Sequence, residues 1–390
     1  MNESNYLDGD ETNNDRYRSI DLLVGSVGFL MAFGIPAIPI LTAWLGVASG
    51  DAHIANIVAF MPLAIAYIVV PAVETLFPHA IAPVPTKFSS KAGWQTYYRV
   101  LPLLSILAQI TMLYAAITYW SSGVLNLWGG IGYLLSTGIF SGMCAINIGH
   151  ELIHRPQKFD RAIGGLLLST VGFGTFKIVH LRIHHRYVGT PLDFATARRG
   201  QSIYQYWWQS FRGNISESIA CERDRLTKSG QSFWHNELLL WYGITLIWLC
   251  FAITLGGWSG GIFFVLHCLI AIMKLEWTNY LQHYGLTRNI DESGEYESVK
   301  AHHAWSSGLF IHDLALLNLL RHSDHHLDPH RPYHALRYDD RSPNYPYNYS
   351  IMYFLSLVPP VFQQVVHPYL EYFQTTTTVH KVSSSISLGD

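Results

Sequence analysis

The sequence predicts an all-α integral membrane protein with six transmembrane helices and a helical cap on the cytoplasmic side. Three observations lead there. Only 13% of the 390 residues are charged and 49% are hydrophobic, whereas ordinary soluble domains carry roughly 25% charged residues. Stretches of about 20 residues nearly free of Lys, Arg, Asp and Glu recur, each long enough to cross a hydrocarbon core about 30 Å thick. Basic residues other than Lys274 fall in the tails and in alternate connections between these stretches, as the preference of Lys and Arg for the cytoplasmic side requires.

A polar tail, residues 1–19, comes first. It lacks the basic, then apolar, then small-residue order of a cleavable signal, so the first span itself serves as the insertion signal. A single membrane domain follows, residues 20–375, with spans expected at about 22–45, 54–75, 101–120, 127–149, 238–255 and 262–280. The sixth carries Lys274 and Glu276 near one end. The connections after the first, third and fifth spans, "GVASGDAH", "SSGVLN" and "GGWSGG", hold no Lys or Arg, whereas Lys87, Lys91 and Arg99 fall between the second and third. Both termini are therefore expected in the cytoplasm. Gly, Ala and Ser in the fourth span allow close helix approach. Residues 162–176, apolar and glycine-rich, read as a buried or interfacial cap helix. Residues 350–366 fit a helix lying along the membrane surface, and 376–390 a flexible, low-complexity tail.

Cys144, Cys221, Cys250 and Cys268 form no C-x-x-C pair, which argues against a disulfide framework, a thiolate zinc site and a built-in iron–sulfur module. A net charge of -2 gives no sign of nucleic-acid binding.

The chemistry is carried by histidine. Of 20 histidines, nine gather in four places. "HELIH" puts His150 and His154 one turn apart on one helical face. "HLRIHH" supplies His180, His184 and His185, "RHSDHH" supplies His322, His325 and His326, and His283 stands at the end of the sixth span. All four places fall on the cytoplasmic side of a topology derived from Lys and Arg alone. Neighbours at i+3 and i+4 can converge on one ion, whereas adjacent histidines point apart, so one member of each adjacent pair is free to serve a second ion. A zinc site closes at four ligands; nine imidazoles call for two metals. Imidazole alone leaves iron, copper, nickel and zinc open. The need for two redox-capable ions beside an apolar substrate phase favours iron. Glu151, Asp193 and Asp324 stand beside the clusters as acceptors for imidazole N–H groups. Isolated histidines such as His53, His79 and His235 read as packing residues, and His302, His303, His312, His330 and His334 as non-ligands near the site.

"HELIH" also spells the zinc-protease signature, with Glu151 as base. That reading uses three residues and ignores seven clustered histidines.

"NIGHELIHR", "HLRIHHRYVGTPLD", "NYLQHYGL" and "LLRHSDHHLDPHRPYHALR" resemble, in order and spacing, the four histidine motifs of the membrane-bound alkane 1-monooxygenase family, part of the wider superfamily of membrane desaturases and hydroxylases. The resemblance covers about residues 130–360. It implies a multi-pass protein of the inner (cytoplasmic) membrane whose cap holds a histidine-rich di-iron site. The ligands it implies are His150, His154, His180, His184, His185, His283, His322, His325 and His326. It further implies O2 as co-substrate, a hydrocarbon arriving from the bilayer and hydroxylated at a terminal methyl group, and electrons from an external rubredoxin or ferredoxin-type carrier with its NAD(P)H-dependent reductase. The chain departs from the family at Leu192, where Glu is frequent, at Ser306, where Asn is frequent after Trp305, and at Leu320, where Gln is frequent. "TPLDFATARRGQSIY" and "KSGQSFW" are similar to the xylene monooxygenase branch, so hydroxylation of an aromatic methyl group is the alternative; a fatty-acid desaturase and a zinc metalloprotease are more remote ones.

Overall fold

In the computed structural model, residues 27–76, 91–339 and 341–386 are described; the expected N-terminal tail lies outside them. Among the described residues every regular element is a helix, apart from one isolated bridge between Ile290 and Tyr296. Five helical stretches are long and apolar enough to cross a membrane: α1 (Gly28–Ala48), α2 (Ala52–Leu76), α3 (Gly93–Ser121), α4 (Leu127–Ile153) and, later in the chain, α8 (Glu237–His283). Their ends follow from local chemistry. The Asp51 carboxylate accepts the His53 and Ile54 N–H groups at the start of α2, and the Asn126 side chain does the same for Gly129 at 3.0 Å at the start of α4, satisfying donors that a helix start leaves free. Large apolar side chains such as Trp44, Ile57, Leu107 and Ile247 face outward, which a bilayer tolerates and water does not.

The stretch α8 resolves the expected fifth and sixth spans in a way hydropathy does not show. Gly257, with φ 61° and ψ -157°, sits in a region open essentially to glycine alone. The chain doubles back there: a Cβ on Gly261 would lie 2.7 Å from Ile253, and one on Gly260 would run into the Ala252 carbonyl. Two arms therefore pack antiparallel across the "GGWSGG" connection.

Small residues bring α4 against the second arm of α8. A Cβ on Gly138 would meet Ile270 at 2.6 Å, and one on Gly142 would meet the Ala271 carbonyl at 3.1 Å, the close approach read from the fourth span's composition. This seam runs directly toward His150 and His283.

The segment expected to form the cap starts with α5 (Lys158–Ser169). Gly172, at φ 67°, ends the turn that follows, and Phe173 N–H closes it onto the Leu168 carbonyl at 2.9 Å. The expected helix over 162–176 is thus interrupted before α6, which starts as Gly174–Val179 and continues through His180–His184 to Tyr187. A long helix α7 (Ile203–Ser229) is opened by a reciprocal Ser202–Gln205 cap and closed by Gly230. The buried Glu222 carboxylate ties three elements together, accepting from Arg182 of α6 at 2.9 Å, Arg225 of α7 at 2.9 Å and the Glu237 N–H of α8 at 2.8 Å.

Short helices α9 (Phe310–Ala315) and α10 (His322–Leu327) are joined by a turn in which Leu317 and Asn318 have positive φ. That backbone costs about 1–3 kcal/mol per residue where nothing compensates it. Here the Asn318 amide donates to the Tyr333 carbonyl at 2.8 Å. A fully buried Arg321–Asp313 pair at 2.6 Å, with Arg321 also donating to the Leu336 carbonyl, fixes the residue before His322. The chain ends in α11 (Tyr349–Ser356) and α12 (Pro359–Ile386), broken at the prolines; α12 runs on into the segment expected as a tail.

Candidate metal centre

Two π turns shape the site. In such a turn the ladder runs i to i+5, one residue wider than in an α-helix, and they recur at functional sites. The first, Gly142–Ile146, precedes the turn of α4 that carries His150. The second is His180–His184. It brings His180 Nε2 to 2.9 Å from His185 Nε2, an i+5 pair, and leaves His184 pointing elsewhere. Regular helical spacing suggests His180 with His184; the wide turn pairs His180 with His185 instead.

All nine clustered histidines come together, in two groups. His150, His154, His180, His185 and His325 form one, and His184, His283, His322 and His326 the other, the nitrogens of each lying within 4.8 Å of one another. Both adjacent pairs are split between the groups. α6 and α10 contribute to both groups, α4 to the five-histidine group alone and α8 to the four-histidine group alone.

The spacing tests what such groups hold. Ring nitrogens face each other at 3.0 Å (His154–His180), 2.9 Å (His180–His185), 3.2 Å (His185–His325), 3.0 Å (His283–His322) and 3.0 Å (His322–His326). Edges of this length are short enough for the rings of each group, which bind a metal at about 2.0–2.1 Å, to converge on one ion.

Electrostatics agree. Burial, reinforced by neighbouring imidazoles, pushes His154, His180, His185, His322 and His326 well below the ordinary histidine range, and His325 down to about 3. The rings are neutral at pH 7 and present lone pairs, the state a metal requires.

Of the three carboxylates expected beside the clusters, Asp193 meets the histidines. Its Oδ2 accepts the His184 Nδ1–H at 2.9 Å, while the Ala195 N–H at 3.0 Å and the Thr196 hydroxyl at 2.8 Å hold it in place. This fixes the tautomer and turns His184 Nε2, which has no protein partner, into the four-histidine group. Glu151 is taken by Arg155 at 3.3 Å, and Asp324 by Arg331 at 2.7 Å and the Arg337 N–H at 2.8 Å; a nearby guanidinium outcompetes a neutral ring for each.

A third group, Glu297, His302 and His303, has metal-like proximity but the wrong tautomer. The Lys300 N–H donates to His303 Nδ1 at 3.0 Å, so the proton sits on Nε2, which faces Glu297 at 3.6 Å, and the Lys300 ammonium already occupies the carboxylate. This group is a hydrogen-bonded loop brace.

Sequence reasoning missed the apolar wall of the site. Phe176 stacks on His180 at 4.6 Å and Phe173 stacks on Phe176 at 5.3 Å. Phe173 in turn lines a cavity of about 310 Å³ between α7 and α8, with Phe211, Leu249, Phe264, Leu269 and Met273. Two rings thus separate a largely apolar chamber from a candidate ligand. The only signal in the sequence was "FGTF" preceding the second histidine motif.

Residues 122–355 match the fatty acid desaturase family. Alkane 1-monooxygenase 2 of Alcanivorax borkumensis is 35% identical over 87% of this chain and 89% of its own. Alkane 1-monooxygenase 2 of Pseudomonas aeruginosa is 38% identical over 70% and 74%, and the xylene/toluene monooxygenase hydroxylase component of Pseudomonas putida 31% identical over 59% and 61%. Motifs, helical architecture and two histidine groups converge with these likenesses: the chain belongs to the alkane 1-monooxygenases, within the fatty acid desaturase family.

Proposed function

We propose that this protein is an O2-dependent monooxygenase that hydroxylates the terminal methyl group of a hydrocarbon, an n-alkane to its 1-alkanol, at a pair of irons held by the nine histidines. The observation that carries the reading is the division of nine gathered histidines into groups of five and four, in a chain akin to alkane monooxygenases. The metals would supply the redox chemistry that activates O2. The protein's part is separate. It keeps the rings neutral and oriented, with Asp193 holding His184, and it walls the site with Phe173 and Phe176 so that an apolar chain reaches it without bulk water.

The balance is hydrocarbon, O2, two electrons and two protons to alcohol and water. With no C-x-x-C pair in the chain, the electrons come from an external rubredoxin or ferredoxin-type carrier and its NAD(P)H-dependent reductase. The antiparallel arms of α8 support six crossings, with the histidine cap and both termini on the cytoplasmic side of the inner membrane. Hydroxylation of an aromatic methyl group is the second reading, favoured by the likeness to the xylene/toluene enzyme. The protease reading fails on a Glu151 turned to Arg155 and on the seven further histidines gathered beside His150 and His154.

The test is elemental analysis of purified protein with Mössbauer spectroscopy of an iron-57 sample, followed by product analysis on octane and xylene with a reductant. About two irons per chain and 1-octanol are expected. One zinc and no iron would overturn the reading; methylbenzyl alcohol in place of octanol would select the second one.

A further inference from the structure

The second arm of α8 buries a cation with nothing to balance it. Lys274 is 6% exposed, and its ammonium makes no ion pair and no hydrogen bond among the described residues. Its neighbour is the Tyr353 ring, 3.3 Å from the nitrogen. A charged side chain in a membrane helix is costly and by default marks a functional position; a ring face offers a quadrupole and no counter-charge.

Lys274 borders a cavity of about 40 Å³ between α2, α4, α8 and α11. One water needs about 10–15 Å³, so the space suits a small polar group and no chain. Two further polar atoms in the residues around it are buried without a partner, the Tyr67 hydroxyl and Asn147 Oδ1. The Asn147 amide cannot reverse freely, because its nitrogen donates to the Leu316 carbonyl at 3.0 Å; its oxygen is therefore left as an acceptor. Three lining residues lie close in sequence to candidate ligands on three separate elements: Asn147 precedes His150 by three residues, Leu320 precedes His322 by two, and Thr278 precedes His283 by five. Along each of these elements the pocket lies within about a turn and a half of a candidate ligand.

We propose that this pocket is a subsite for the hydroxyl group of a primary alcohol, the product class of the reaction above; the proposal deepens that reading and rests on it. The donor and acceptor inventory selects the ligand. Lys274 and Tyr67 donate to its oxygen, and its proton goes to Asn147 Oδ1. A carboxylate would meet the Asn147 oxygen with no hydrogen to offer, and a hydrocarbon would leave all three groups unpaired. An alcohol oxygen in this space would reproduce the bonds that a single water there would make. The large apolar chamber beside α7 offers an unpaired donor and acceptor, Trp207 Nε1 and Asn214 Oδ1, but no lysine, and its Glu276 is already engaged by Asn214 at 3.1 Å.

The experiment is binding of tritiated 1-octanol and tritiated nonane, which have equal numbers of heavy atoms, to the full chain in lipid nanodiscs. It needs no turnover, so it can fail while octane hydroxylation succeeds, and the reverse. The expected result is that 1-octanol binds about tenfold or more tighter than nonane, after each is corrected for partition into empty nanodiscs. Lys274→Met, which exchanges the cation for an apolar side chain of similar length, should bring that ratio close to one. Tyr67→Phe, which removes one oxygen and keeps the ring that packs on Phe354, should lower it part of the way. A wild-type ratio near one, or a ratio that neither substitution changes, overturns the proposal and leaves the pocket to water.

Discussion

Asp193 does for His184 what no other carboxylate in the site does for its histidine, and the effect should be separable. Asp193→Asn keeps size and shape, but its amide nitrogen can face His184 Nδ1 only by asking that atom to accept. The ring then loses the tautomer that leaves Nε2 free. Loss of such an orienting partner typically costs 10–100-fold in metal affinity. Iron titration into metal-free protein should give two tight sites in the wild type, and one tight and one weakened site in the variant; equal loss at both sites, or at neither, would count against a role confined to the four-histidine group. At this scale the sequence named the nine histidines that the fold brings together, because ligand chemistry needs particular side chains and His150 through His326 stand in plain sight. The grouping was not. It depends on an i+5 pairing that no periodicity of 3.6 reveals, and which carboxylate reaches a ring depends on Arg155 and Arg331, whose reach is a tertiary fact.

Among the elements, α8 makes the sharpest prediction. Gly257→Ala places a Cβ on a backbone at φ 61° and ψ -157° and should cost about 1–3 kcal/mol, although nothing lies within 4 Å to clash with it. Gly243→Ala, also in open space but in regular helix, should be neutral or stabilising by up to about 1 kcal/mol. Thermal unfolding of the two variants in nanodiscs checks this, and a Gly257→Ala protein as stable as Gly243→Ala would contradict it. The five helices long and apolar enough to cross a membrane were legible in composition, since long uncharged runs have few other uses. Hydropathy could not show that α3 extends well before residue 101 or that α6 departs from regular geometry, because both are settled by packing against neighbours.

For the molecule as a whole, the buried histidines make stability a function of pH. Their folded-state pKa values lie below the ordinary value of 6.5, so the unfolded chain binds more protons than the folded one below that pH. Stability is then full above about pH 7 and falls as pH drops through 6.5 toward 3. The depressed carboxyls of Asp160 and Glu222 act later, below their usual values of 3.8 and 4.5, so a loss between pH 6.5 and 5 belongs to histidine. His303 and His334, lowered to about 3 and about 4, share that window but lie outside the two groups. Iron should therefore remove most of the loss and leave a residue of it. Melting temperatures of metal-free and iron-loaded protein at pH 7.5, 6.5, 5.5 and 5.0 would show this; a metal-free protein equally stable at 7.5 and 5.0 would rule it out.

The division of the histidines also has a mechanical side. α6 and α10 reach both groups, but α4 joins only the five-histidine group and α8 only the four-histidine group. Each ion would act as a latch for a different membrane helix on a shared cap. A protein loaded with one metal would then be half fastened, its last turn of α4 or of α8 exchanging amide hydrogens while the other is locked, and the order of metal delivery would decide which helix docks first during assembly.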